Sequence, residues 1–75
     1  MLDAEIVGRV IGRIREQQGK SQELISGLAG IGRTHLSAIE RGQRKPTLET
    51  FYKIAEALGV KPSTLLAAIE EETQQ

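Results

Sequence analysis

The chain has 75 residues, with ten lysines and arginines against ten aspartates and glutamates, one histidine and no cysteine. That length supports one small core, near the lower limit for a fold without staples, and the lack of cysteine excludes disulfides and thiolate metal sites, while one histidine cannot build a ligand cluster. Apolar runs stay far below the roughly 18 residues that a membrane span requires, and the opening MLDAEIVGR lacks the charged-then-apolar layout of a signal peptide, so a soluble cytoplasmic protein is expected.

No segment alternates convincingly as a strand would, and the elements read as helices in order. Over about 3–18, Val7, Ile11 and Ile14 recur at i, i+4 and i+7 with Val10 alongside, which predicts an amphipathic first helix that Gly19 ends. A second helix starts at Lys20-Ser21. The Ser21 hydroxyl can accept a backbone N–H of the first turn, which Gln22 and Glu23 fill. Ile25, Leu28 and Ala29 fall on one face, and Ser26 is small enough to let another helix approach. Gly30 can end this helix in the left-handed conformation, and Gly32 stands where the next helix needs its N-cap. The third helix is predicted from Arg33 to about Arg41, with Leu36 and Ile39 inward and Gly42 as its stop.

A basic loop follows, and Pro46-Thr47 opens a fourth helix whose apolar stripe is Leu48, Phe51, Ile54, Ala55 and Leu58. Gly59 stops it, and Lys61-Pro62-Ser63 leads into a fifth carrying Leu65, Leu66 and Ile69. The polar tail from Glu70 to Gln75 is expected to fray. The whole chain, 1–75, is read as one all-α domain, a compact five-helix bundle with a modest aliphatic core.

Two helices joined by a short glycine-containing turn, here over about 21–42, make a helix-turn-helix unit, whose second helix lies in the major groove of double-stranded DNA. A net charge of zero argues mildly against a nucleic-acid partner, but the distribution is uneven. Up to Pro46 eight cations face five anions, giving +3, and from Thr47 onward two cations face five anions, giving −3. A cationic face of this kind suits DNA, with modest and salt-dependent nonspecific affinity.

From about Val7 to Leu66 the chain resembles the Cro/phage-repressor, or xenobiotic-response-element, family of lambda-repressor-like helix-turn-helix domains. The resemblance rests on Ile14-Arg15, Ser21-Gln22-Glu23, Gly30-Ile31, Leu36-Ser37, Ile39-Glu40-Arg41-Gly42, Arg44, Pro46-Thr47-Leu48 and Ile54-Ala55-Glu56-Ala57-Leu58-Gly59-Val60. It implies a partly buried ion pair between Arg15 and Glu40 that ties the reading unit to the scaffold. Three positions depart from the family pattern. Ser26 stands for the usual alanine and can return its hydroxyl to a carbonyl one turn earlier. Lys20 stands for a common apolar residue, and Gly32 for the usual capping serine, aspartate or threonine.

The resemblance implies a phosphate at the start of the second helix, beside Ser21 and Gln22, where free N–H groups and the helix dipole favour negative charge. On the third helix Arg33, Thr34, Ser37 and Ala38 face the bases. Arg33 leads, because a guanidinium can make paired hydrogen bonds to guanine. His35, Arg41, Arg44 and Lys45 are placed on phosphates, where they set register and carry no sequence information. One such unit makes too few base contacts for genomic specificity, so a homodimer on an inverted repeat is expected, with Leu65, Leu66 and Ile69 of the fifth helix, over about 62–72, as its interface.

A small transcriptional regulator is the leading reading. Arg33-Thr34 and Ile39-Glu40-Arg41-Gly42 resemble controller proteins of restriction-modification systems, and compact phage-type repressors share them. The alternative is an antitoxin or other protein-binding module that also binds its own promoter. No nucleophile-base pair, metal cluster or phosphate-binding glycine loop is recognisable, so no catalysis, cofactor, metal or small-molecule ligand is expected.

Overall fold

The computed structural model describes residues 2–74 and contains five helices: α1 (Ala4–Gln17), α2 (Gln22–Ala29), α3 (Arg33–Glu40), α4 (Leu48–Ala57) and α5 (Pro62–Thr73). Their starts follow local chemistry. Asp3, Ser21 and Thr47 accept backbone N–H bonds from Glu5, Leu24 and Thr50, so three helices have side-chain N-caps. At α5 Pro62 takes the first helical position, where its missing N–H removes no bond.

The ends of α1 to α4 share one device. After each, a glycine with positive φ (Gly19, Gly30, Gly42 or Gly59) turns the chain, and the following N–H reaches back across the last turn. At Gly30, φ is 71°, and the Ile31 N–H donates to the Ser26 carbonyl at 3.0 Å. A side chain is disfavoured at that φ, so glycine fixes the sharp angle between α2 and α3.

The helices enclose an aliphatic core to which each contributes, including Val10 and Ile11, Ile25, Leu36 and Ile39, Ile54 and Leu58, and Leu65 and Ile69. α1 packs on α3 and α5, α2 on α3 and α4, and α4 on α5. Buried Ser26 donates its hydroxyl to the Glu23 carbonyl at 3.2 Å, which satisfies it within its own helix.

Several expectations are corrected by this packing. Leu28 is 63% exposed and Leu48 75% exposed, so neither joins the core stripe of its helix. Leu65 and Ile69, expected at an interface, are fully enclosed in the chain's own core, and only Leu66 of that trio is exposed. The tail does not fray at Glu70. α5 continues to Thr73, whose hydroxyl donates to the Ile69 carbonyl at 2.8 Å, while Arg13 of α1 pairs with Glu72. The hydrogen bond donated by Arg13 lowers the pKa of the Glu72 carboxyl.

The tightest contact lies between α1 and the end of α3. A Cβ added to Gly8 would lie 2.1 Å from the Ile39 carbonyl oxygen, and one added to Gly42, at φ 77°, would lie 2.9 Å from the Glu5 Cα. Backbone meets backbone there, with no flexible group to yield. Gly8→Ala is therefore expected to destabilise the fold by about 3 kcal/mol in urea unfolding, the upper part of the overpacking range. Exposed Gly27 of α2 has open space around its Cβ position, and Gly27→Ala should stabilise by about 0.5–1 kcal/mol in the same measurement.

Candidate nucleic-acid interface

Two buried residues, Leu36 and Ile39, hold α3 on the core and leave the opposite side outward. Arg33 and Thr34 are exposed there, Ser37 and Ala38 are half-exposed, and Arg41, exposed, caps the helix end. His35 lies half-buried on the flank. Among the described residues, the side chains of Arg33, Thr34, His35, Ser37, Arg44 and Lys45 make no hydrogen bond or ion pair within the chain. Arg41 does: its guanidinium donates to the Gln43 side-chain oxygen at 3.1 Å, which turns it along the loop. This contact with Gln43 is absent from the sequence reading, since a lone polar residue in a loop carries no pattern.

No side chain caps the start of α3, because its N-cap is Gly32. The other end is held firmly. Arg15, in the last turn of α1, donates from Nε to Glu40 Oε2 at 2.7 Å and from Nη2 to Oε1 at 2.9 Å, a bidentate pair with side chains 12% and 9% exposed. Its remaining nitrogen donates to the Lys20 carbonyl at 2.8 Å, just before α2. The Gln22 side chain donates to Glu40 Oε1 at 3.0 Å. Every buried polar side-chain atom among the described residues has a partner. The hydrogen bond to Glu40 raises the Arg15 pKa and outweighs the burial that opposes its charge.

The pair has a dedicated seat. Gly8, Gly12 and Arg15 share one face of α1 at i, i+4 and i+7, and a Cβ at Gly12 would lie 3.2 Å from Glu40 Oε1. Two missing side chains let the end of α3 reach α1, and Arg15 locks it. The family resemblance implies the pair but not its seat, which the i, i+4, i+7 spacing of Gly8, Gly12 and Arg15 could have marked.

Ser21 is exposed, with its hydroxyl engaged as the α2 cap. Gln22, expected to face a phosphate, instead directs its side-chain amide at Glu40, which leaves its backbone N–H in the first turn of α2. No helix is long and apolar enough to cross a membrane, and no group of acidic and histidine side chains suited to a metal occurs among the described residues.

An eight-residue helix set against a preceding eight-residue helix by a left-handed glycine turn, with its polar side outward, defines a helix-turn-helix unit. Residues 11–65 match the Helix-turn-helix family model, and the chain belongs to this family of DNA-binding transcriptional regulators. It is 37% identical over 67 residues to an HTH-type transcriptional regulator of Sinorhizobium fredii, covering 89% of this chain and 87% of that one. It is also 39% identical over 62 residues to the control protein C.BamHI of Bacillus amyloliquefaciens, covering 81% and 76%. Among solved structures, the restriction-modification controller protein C.AhdI of Aeromonas hydrophila superposes with a TM-score of 0.81 at 34% identity, over 87% of this chain and 98% of that one. The controller C.Esp1396I, solved as a tetramer on its natural 35 base-pair operator, superposes with a TM-score of 0.90 at 27% identity, over 100% and 99%.

Removing one partner of the Arg15–Glu40 pair leaves a charge stranded in a mostly buried site. Glu40→Ala is expected to lower unfolding free energy by about 3 kcal/mol, the low end for a buried pair, because Arg15 opens to solvent on its Glu16 side. Thermal and urea denaturation check this, and a loss below about 1 kcal/mol would put the pair in the class of surface ion pairs.

Proposed function

We propose that this protein is a sequence-specific transcriptional regulator that binds double-stranded DNA as a homodimer on an inverted repeat, with α3 in the major groove. The observation that carries the reading is the row of unpaired polar side chains on α3, held at one end by a buried ion pair and continued by the cations of the following loop. Arg33 reads guanine through its guanidinium, and Thr34, Ser37 and Ala38 face neighbouring bases. Arg41, Arg44 and Lys45 follow the phosphate backbone, with His35 at the flank. Backbone N–H groups of Gln22 and Glu23, beside the Ser21 hydroxyl, take a phosphate at the positive end of α2. The likeness to C.BamHI and C.AhdI supports a restriction-modification controller as the class of regulator.

The dimer face lies on α4 and α5. Leu2, Leu48, Phe51 and Leu66 line an apolar groove with Pro46, and Leu66 and Leu48 are 40% and 75% exposed. A two-fold axis would bring this patch against itself, so one set of residues serves both protomers. Leu66→Glu should give a monomer in analytical ultracentrifugation, with helical content unchanged in far-UV circular dichroism. A sedimentation coefficient equal to that of the wild type would move the interface elsewhere.

Selection from a random duplex pool at about 150 mM salt, where phosphate attraction alone does not dominate, should enrich an inverted repeat with half-sites about one helical turn apart. On the enriched duplex Arg33→Ala is expected to lose about 1–3 kcal/mol, with little loss on random duplex. Equal losses on both would remove Arg33 from base reading, and a pool with no enriched repeat would favour a protein partner over an operator.

A further inference from the structure

The Glu40 carboxylate accepts from two directions. Arg15 of α1 provides the bidentate pair, and Gln22, the first residue of α2, provides a further bond to Oε1. Among the described residues, this is the one side-chain hydrogen bond that joins α2 to α3 directly. Its two ends are telling. Gln22 opens the first turn of α2, at the positive end of that helix, and Glu40 is the last residue of α3. Leu36 and Ile39 seat α3 on the core and Arg15 holds its end against α1, and neither contact ties that end to the first turn of α2. A hydrogen bond to a carboxylate already held bidentately is directional.

We infer that Gln22 is a positioning residue for DNA reading: its side chain ties the phosphate-facing turn of α2 to the end of α3 and so sets the angle at which Arg33 and Thr34 meet the bases. The inference rests on the proposed DNA-binding mode and assigns Gln22 a role apart from phosphate contact. Its amide has one N–H committed to Glu40, so a backbone phosphate seated on the α2 turn and the reading helix move as one body. Register set on the phosphates is then transmitted to the axis of α3.

Two variants and two readouts test this. Gln22→Met keeps the length and removes the donor, whereas Gln22→Lys keeps a donor toward Glu40. In the DNA-free protein, hydrogen exchange is followed at the amides of Arg41, Gly42 and Gln43, which donate to Ser37, Ile39 and Ala38 and close the α3 end. Exchange there should speed by about threefold or more in Gln22→Met relative to α5 amides, and stay near wild type in Gln22→Lys. Unchanged exchange in Gln22→Met overturns the link.

With DNA, the ratio of affinity for the selected duplex to affinity for random duplex should fall roughly three- to tenfold in Gln22→Met. In Gln22→Lys the ratio should recover, even as the added cation tightens both duplexes. An equal loss on both duplexes in Gln22→Met overturns the positioning role and makes Gln22 a phosphate contact alone. If the wild-type protein itself shows no preference for any duplex, the proposed function fails, and the DNA-free exchange alone decides whether Gln22 links the helices.

Discussion

The Arg15–Glu40 pair is the constraint on which the working surface depends. Eight residues are too few for a helix to be stable in water by itself, and α3 has only Leu36 and Ile39 buried and no side-chain cap at its start. Its orientation is therefore imposed from outside, at its C-terminal end. There a guanidinium from α1, a carbonyl before α2 and an amide from the first turn of α2 converge, directly or through Arg15, on one carboxylate. Taking two charges out of water offsets much of what their attraction returns, so the pair adds less to stability than its geometry suggests. What it supplies is direction, which aliphatic packing alone does not.

Room for that pair is made by what α1 lacks. Gly8 and Gly12 each remove a side chain that would strike the end of α3, and a glycine in the middle of a helix weakens it by about 1 kcal/mol relative to alanine. α1 offsets this by length and by an aspartate cap, and Arg13, two positions before Arg15, holds α5 through Glu72. One helix thus fixes both α3 and α5, from nearly opposite faces.

Much of this was legible in the sequence, for reasons that differ by element. Helix ends were readable because the physics there is local: a serine or threonine cap and a left-handed glycine act within four residues. The inward faces of α1 and α3 were readable because each has a single apolar row. Leu28 and Leu48 misled because a short helix with apolar residues on more than one side has no unique inward face, and only the neighbouring helix decides which row is covered. Leu65 and Ile69 failed likewise. α5 carries adjacent leucines at 65 and 66, and the sequence does not say which of them meets α1. The Gln22 contact to Glu40 spans 18 residues between polar side chains, and no periodicity encodes such a pairing.

In the proposed binding mode the reading helix is anchored at the end away from Arg33 and open at the end near it. The fixed end sets where the helix axis points. The uncapped start at Gly32 leaves Arg33 and Thr34 with unconstrained side chains, whose ordering on a base pair subtracts from the affinity of a single unit. A weak single unit suits a regulator that works in pairs. In that mode each half-site contributes little alone, so occupancy follows the concentration of the dimer, and the apolar groove beside Leu66 becomes as much a part of DNA recognition as Arg33.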